Sequence, residues 1–568
     1  MLRQFSERPL RIPRLLPFVP KPGDPRIYAF NDEREAIVRA VVHRATARHF
    51  ATRPKTEAAL ADVAFHEIRR LEAQKDDEAA ASLGTWRTLL RRIPRMSDSE
   101  AASELTRVAE AMTWDVAGNF DPRVYEFARK AMPKLLTGVM RPSELPSTLL
   151  STENFALDAL LRIEGAVEHL RAVEPKATLV YVPTHSSNLD SIVLGQALER
   201  SGLSPVMYGA GKNLFTNPII SFFMHNLGAY RVDRRIRANF YKDILKAYAG
   251  ETVRRGYHSL FFPGGTRSRS NLIESRLKLG LAGAAVEAFA ERRAAGDDRP
   301  ILFVPTTINY ELVLEGDTLI DDWLVEEGKS RYIIEDDEFS RVDRWVSFFR
   351  RLVDMRAAGV IRFGAPIDPF GNKVDLDARS IGPGGRVLDP GSYVLHRGVP
   401  TIDVARDAAY TRELGDTLAQ VYKTESVIMV TQLVAHVLFR RLVRESGNID
   451  LFKRLRLRGE VSMSRAELEA EVGRTRDVLR ARVADGMTKM SAELDRETPA
   501  ELVSRTFRVW SGYHKKTAVH EAEGVVTIDD PTLVLYYQNR LVPFAEALVT
   551  DEADRAAARW ISNLGAKR

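Results

Sequence analysis

From about Asn31 to Leu136, apolar residues recur at three- and four-residue spacing within an Ala-, Arg- and Glu-rich background. That period predicts a series of amphipathic helices. Ile37, Val38, Val41 and Val42 form one apolar stripe, and Val108 with Met112 marks another. Asp98 or Ser99 is placed to cap one of these helices, and Asp121, ahead of Pro122, to cap a second. His66-Glu67 begins like a zinc-protease motif, but position 70 is Arg, so the second ligand is missing and the stretch reads as a surface helix.

Near Lys176 the period changes. Short β-rich runs appear at Ala177–Val182, Pro205–Tyr208, Ala229–Val232, Ser259–Phe262, Ile301–Pro305 and Val360–Phe363. Helical stretches such as Ile192–Arg200 and Ala282–Arg293 lie between them. Strands alternating with helices predict an α/β layer architecture. A Gly/Pro-rich stretch, Gly371–Gly398, reads as loop, and from about Thr401 the pattern is helical again. The uncharged run Ser426–Phe439 reads first as a core helix; the other reading is an apolar face for an acyl chain or a membrane interface. Three regions follow: a helical N-terminal domain (1–150), an α/β domain (151–400) and a helical C-terminal region (401–568).

Composition narrows the function classes. The chain has 568 residues, too many for one ordinary core. It contains no cysteine, which excludes disulfides, thiol catalysis and Cys-based zinc sites. A net charge of +6 reads either as a solvated surface of mixed charge or as affinity for something anionic: a phosphorylated substrate, acidic lipid or nucleic acid. Aromatic residues do not interleave with the basic clusters as a stacking platform requires, which argues against nucleic acid. Met1–Pro22 lacks the apolar core of a signal peptide. No run reaches the roughly 20 apolar residues of a membrane span. The longest uncharged run, Asn213–Tyr230, is interrupted by polar residues and reads as buried or interfacial.

Two constellations carry chemistry. In the first, Val182-Pro183-Thr184-His185-Ser186-Ser187-Asn188-Leu189-Asp190, His185 falls at a strand-to-helix junction and Asp190 in the first helical turn. A carboxylate there holds one ring nitrogen and leaves the other free as a base. In the second, Phe261-Phe262-Pro263-Gly264-Gly265-Thr266-Arg267-Ser268-Arg269-Ser270, paired glycines let backbone amides approach a ligand while Arg267 and Arg269 suit phosphate oxygens. No Gly-Lys-Ser/Thr follows, so this is not a nucleotide P-loop. Between and beyond them lie Gly228-Ala229-Tyr230-Arg231-Val232-Asp233-Arg234-Arg235, Lys278-Leu279-Gly280 and Val304-Pro305-Thr306-Thr307-Ile308-Asn309-Tyr310-Glu311.

Taken in order, these segments resemble the four motifs of the glycerophospholipid acyltransferase family. His185-x4-Asp190 is similar to the first (HX4D), Gly228–Arg235 to the second, Phe262–Ser268 to the third and Val304–Pro305 to the fourth. Ile308–Glu311, Arg267-Ser268-Arg269 and the late tract Leu535-Tyr536-Tyr537-Gln538-Asn539-Arg540 look like the glycerol-3-phosphate branch. The resemblance covers roughly residues 175–370. It implies an α/β fold with a central mixed sheet flanked by helices. It also implies acyl transfer from acyl-CoA or acyl-carrier protein to glycerol 3-phosphate at the cytoplasmic face of the cell membrane, without cofactor or metal. His185 would be the base and Asp190 its orienting partner. Arg234, Arg235, Gly265, Thr266, Arg267, Ser268, Arg269 and Lys278 would bind the phosphate. Dihydroxyacetone phosphate or lysophosphatidate are the other acceptors to weigh, and a non-catalytic lipid-binding scaffold is the alternative of another class. One departure stands out: the third motif commonly has Glu where this chain has Gly264, so any loop-ordering carboxylate must come from elsewhere or be absent.

Overall fold

The computed structural model describes residues 18–52, 55–73, 77–130, 161–215, 218–313, 315–327, 359–511, 514, 516–549 and 551–566. The readings for 1–17 and 131–136 lie outside them. The N-terminal helices form as the periodicity predicts: α1 (Phe30–Thr52), α2 (Thr56–Glu72), α3 (Asp77–Arg92) and α4 (Asp98–Val116). The cap of α4 is Ser97, one residue earlier than expected. Glu100 stands three residues on and closes a reciprocal capping box, accepting the Ser97 N–H at 2.8 Å. In α2, Glu67 is buried rather than surface-facing and pairs with Arg70 at 2.7 Å, the residue that breaks the zinc-motif pattern.

A seven-stranded sheet occupies the centre. Its strands are β1 (Leu161–Gly165), β2 (Thr178–Pro183), β3 (Met207–Gly211), β4 (Ala229–Val232), β5 (Ser259–Leu260), β6 (Ile301–Tyr310) and β7 (Gly359–Phe363). The order is β1-β7-β6-β2-β5-β3-β4, parallel throughout except for the antiparallel β6–β7 pair. The expected mixed sheet is thus present. β1 was not anticipated, and β6 runs five residues past Pro305. That proline stands where the ladder with β7 begins, and its carbonyl takes the Gly364 N–H at 2.8 Å.

All of β2 and β6 is buried, which suits strands covered on both faces. Leu179 and Tyr181 point into one core, Val180 and Val182 into another, as the two-residue period of a strand demands. Around the sheet pack α5 (Asp190–Arg200), α6 (Asn239–Arg254), α7 (Gly280–Ala294) and α8 (Gly316–Glu327). Behind it lie α9 (Val404–Glu425) and α10 (Val430–Ser446). The first core joins the sheet to α10 and to the later helix α11 (Pro531–Gln538). A separate core joins the N-terminal helices to α6 through Phe240, Tyr241 and Tyr248.

One sequence reading holds and two change. Residues 427–439 are all buried, so the uncharged run is core and not an interfacial face. The Gly/Pro-rich stretch folds into short hairpins, Lys373–Val374 with Ser380–Ile381 and Leu395–His396 with Val399–Pro400. The C-terminal region is not purely helical. Ser462–Ser464, Val519–Ala522 and Val525–Ile528 form an antiparallel sheet, with Glu523 and Gly524 both at positive φ in the hairpin turn. Among the described residues, no helix is long and apolar enough to cross a membrane.

Candidate active site

The carboxyl ends of β2, β4 and β5 point the same way, so the loops that follow them meet at one edge of the sheet. After β2 comes His185, then α5 beginning at Asp190. His185 Nδ1 lies 2.8 Å from Asp190 Oδ2. With Asp190 a carboxylate, Nδ1 is the donor and Nε2 is left bare as the acceptor. The ring stacks on Phe262, centroids 4.1 Å apart, which fixes its plane. Asp190 is wholly buried. Its Oδ2 also accepts the N–H groups of Ser186 and Ser187 at 2.6 and 2.9 Å, and its Oδ1 accepts the Tyr310 hydroxyl at 2.7 Å. The extension of β6 past Pro305 is what brings Tyr310 there.

Every backbone N–H from His185 to Asn188 is accepted by a carboxylate. Glu274 takes that of His185 at 2.9 Å, Asp190 the next two, and Glu315 that of Asn188 at 3.0 Å. Glu315 also accepts the Ser187 hydroxyl at 2.8 Å and one N–H of Arg267 at 3.2 Å. Burial raises the carboxyls of Glu315 and Glu274, with Arg267 opposing it at Glu315; Glu274 is pushed up to about 7, opposed by the His185 N–H and by Arg540. Arg540 is itself buried, and desolvation lowers its guanidinium. It donates to the Ser186 hydroxyl at 2.8 Å and more weakly to the Ile308 carbonyl. The tract after α11 is therefore a wall of the site: Asn539 also donates to the Ser270 carbonyl, and Asn271 to that of Tyr536.

The anticipated phosphate-binding residues fall into distinct situations. Arg267 reaches the His185 loop through Glu315, whereas Arg269 pairs with exposed Glu326 at 3.0 Å. Arg235 is tied to Asp233 at 3.1 Å. Arg234 has no ion-pair partner among the described residues. It is exposed by surface area, yet desolvation first, and repulsion from Arg267 second, lower its guanidinium. Arg267 is paired with Glu315, so of these two mutually repelling cations Arg234 is the one with no carboxylate partner among the described residues. Gly265 sits at φ +73°, and Lys278 crosses it so closely that an added Cβ would lie 2.8 Å from Nζ. Its own N–H is used within the turn, donating to the Phe262 carbonyl at 3.0 Å, and that of Ser268 donates to the His185 carbonyl at 2.7 Å. These two amides are therefore engaged by protein rather than turned to a ligand, contrary to the expectation. The third motif's hydroxyls, Thr266 and Ser268, lie on this same turn; Ser268 Oγ donates to the Leu272 carbonyl at 3.1 Å.

Four site residues were missed from sequence as such: Glu274, Tyr310, Glu315 and Arg540. Tyr310 and Arg540 lie within tracts that the sequence reading quoted; Glu274 and Glu315 carry no local signal.

Residues 165–309 match the model of the Acyltransferase family. A protein of Xylella fastidiosa named glycerol-3-phosphate acyltransferase is 26% identical over 243 residues, 42% of this chain and 25% of its own length. Proteins of the same name from Actinobacillus succinogenes and Pseudomonas paraeruginosa are each 32% identical, over 35% and 28% of this chain and 23% and 18% of their own lengths. The chain spans about a quarter of the length of the curated relatives it matches. His185, Asp190 and the glycine turn all lie inside the segment that is similar to the Acyltransferase family, and the same part of the chain is similar to proteins named glycerol-3-phosphate acyltransferase.

Proposed function

We propose that this protein is a glycerol-3-phosphate 1-O-acyltransferase, moving a fatty acyl group from acyl-CoA or acyl-carrier protein to give lysophosphatidate, the first step of phospholipid synthesis. The observation that carries the reading is the His185–Asp190 pair, 2.8 Å apart, with Arg267 joined to the same loop through Glu315. In the mechanism, Nε2 of His185 removes the acceptor hydroxyl's proton as its oxygen attacks the thioester carbonyl. Asp190 stabilises the imidazolium. The proton then passes to the departing thiolate, so thiol and ester are the products. General-base catalysis of this kind contributes ~10²–10⁴ in rate. Arg234, Arg267 and Lys278 hold the phosphate, with Arg235, Arg269, Thr266, Ser268 and the Gly265 turn as its surroundings. Remote binding of that sort places the hydroxyl for attack.

The test is product analysis with glycerol 3-phosphate, dihydroxyacetone phosphate and lysophosphatidate, each with both donors. Ester formed fastest on glycerol 3-phosphate supports the reading; transfer to neither it nor dihydroxyacetone phosphate refutes it. The region 151–400 is proposed as the catalytic body, with 1–150 and 401–568 as helix-rich flanks. Peripheral binding at the cytoplasmic face of the membrane is proposed from the basic charge and the lipid chemistry. Alkaline carbonate is expected to strip the protein from membranes, and retention like that of an integral protein would refute this.

A further inference from the structure

The glycine turn after β5 has an unusual neighbour. A Cβ built on Gly264 would lie 3.0 Å from both Cδ and Oε1 of Glu274 and 3.2 Å from Oε2. The carboxylate of Glu274 therefore fills the space into which a side chain at 264 would extend. Its Oε1 accepts the His185 N–H at 2.9 Å, and the turn's Ser268 N–H holds the His185 carbonyl at 2.7 Å. The two peptide groups flanking His185 are thus clamped from the same loop, while Phe262 from that loop stacks on the ring. The Oε2 atom is shut off from solvent and accepts no hydrogen bond among the described residues. A buried carboxylate with one oxygen unused is costly to keep for packing alone.

We propose that Glu274 is a positioning residue for acyl transfer: its carboxylate pins the His185 backbone against the turn, and position 264 is glycine because that carboxylate occupies its side-chain space. The proposal rests on the acyltransferase reading above. Glu274 acts through His185 and touches no reacting atom. Within this scheme Gly264 and Glu274 are one unit. A larger residue at 264 displaces Glu274, and removal of Glu274 frees the peptide that carries the base. A shift of about 1 Å at a catalytic group is enough to lower turnover by about 100-fold.

The full chain is compared as wild type, Glu274→Ala, Glu274→Gln and the double variant Gly264→Glu/Glu274→Ala. Turnover, acceptor KM and thermal unfolding are measured on each, and the ring nitrogens of His185 are followed by NMR with ¹⁵N-histidine. Glu274→Ala is expected to lower kcat by about 10–100-fold with KM within about threefold. Glu274→Gln, which keeps the acceptor oxygen, should restore most of the turnover. The double variant should recover about tenfold over Glu274→Ala, since its new carboxylate starts in the vacated space. Glu274→Ala with kcat within twofold of wild type overturns the proposal while leaving the acyltransferase reading intact. So does a loss in Glu274→Ala that only tracks the loss of folded protein and that Gln does not rescue. If wild type transfers no acyl group, the acyltransferase reading fails; the NMR arm then decides, and an unchanged Nδ1–H signature of His185 in Glu274→Ala overturns the positioning role as well.

Discussion

Replacing Asp190 by Asn separates what this carboxylate does for the fold from what it does for catalysis. In the structure one carboxylate oxygen, Oδ2, receives His185 Nδ1–H and two backbone N–H groups, and the other receives only the Tyr310 hydroxyl. An amide in the same orientation keeps all three bonds on its oxygen. Its NH2 meets the Tyr310 oxygen, which rotates to accept. Each bond merely changes from charge-assisted to neutral, about 1 kcal/mol apiece. The ring tautomer survives. What disappears is the negative charge opposite the imidazolium formed during attack. At a separation of about 4 Å and an effective dielectric of about 20, that attraction is about 4 kcal/mol. At 1.36 kcal/mol per decade it corresponds to about 10³ in rate. Asp190→Asn should therefore lose about 10³ in kcat with acceptor KM nearly unchanged. Asp190→Ala should instead fail mainly by unfolding, because its four donors are stranded at about 1–3 kcal/mol each. Turnover is read from thiol release, with thermal unfolding on the same preparations. A folded Asp190→Asn enzyme within tenfold of wild type would refute this account of the pair.

His185→Ala should abolish acyl transfer while the thermal transition stays near wild type, because the ring is held chiefly by Asp190 and Phe262 at the cleft; near-normal turnover in a folded variant would remove the mechanism. Arg234→Ala should raise the glycerol 3-phosphate KM by about 10–100-fold without altering donor KM, the cost of a charge-assisted contact to phosphate. Arg267→Ala should lower kcat as well, since it also releases Glu315 from its cation, while Arg269→Ala, whose side chain is tied to Glu326, should do least; a loss confined to donor KM would reassign these cations to the donor. Burial holds the imidazoles of His258 and His436 down to about 3, so between the ordinary histidine value and 3 the unfolded chain binds protons that the folded one does not. The histidines' contribution to stability should be lost as pH drops below about 6.5, and His258→Gln should change the slope of stability against pH by about one proton relative to wild type; an unchanged slope would refute the assignment. Glu274 and Glu311, both pushed up to about 7 by burial, work in the opposite sense, their contribution being lost as pH rises through 7.

Much of the sheet was legible because Leu179–Val182 in β2 and Ile301–Val304 in β6 are continuous apolar runs, and the His185–Asp190 pair was legible because both partners lie within six residues of each other. Pro305 misled, since a proline usually ends a central strand; here it falls at the start of the β7 ladder and the strand continues to Tyr310. The C-terminal hairpin was hidden by a Glu-Gly turn flanked by only four-residue strands. Glu274, Glu315 and Arg540 were illegible for another reason. Each reaches the His185 loop by a tertiary contact across 89, 128 or 354 positions, and no local period records such an approach. The late tract containing Arg540 was noticed only through its resemblance to a family pattern, and its packing against Ser186 gives that likeness a physical cause.

The contact between Arg540 and Ser186 also bears on how the protein comes into being. Synthesis proceeds from the N-terminus, so His185 and Asp190 leave the ribosome hundreds of residues before the arginine that braces the neighbouring serine. Until that late tract docks, the loop lacks a buried cation among its three carboxylates, and β2 lacks part of its apolar cover from α10 and α11. A nascent chain halted before residue 531 would hold every motif residue and still present an unfinished site. Under the proposed function, acyl transfer would then begin only after that late tract has docked.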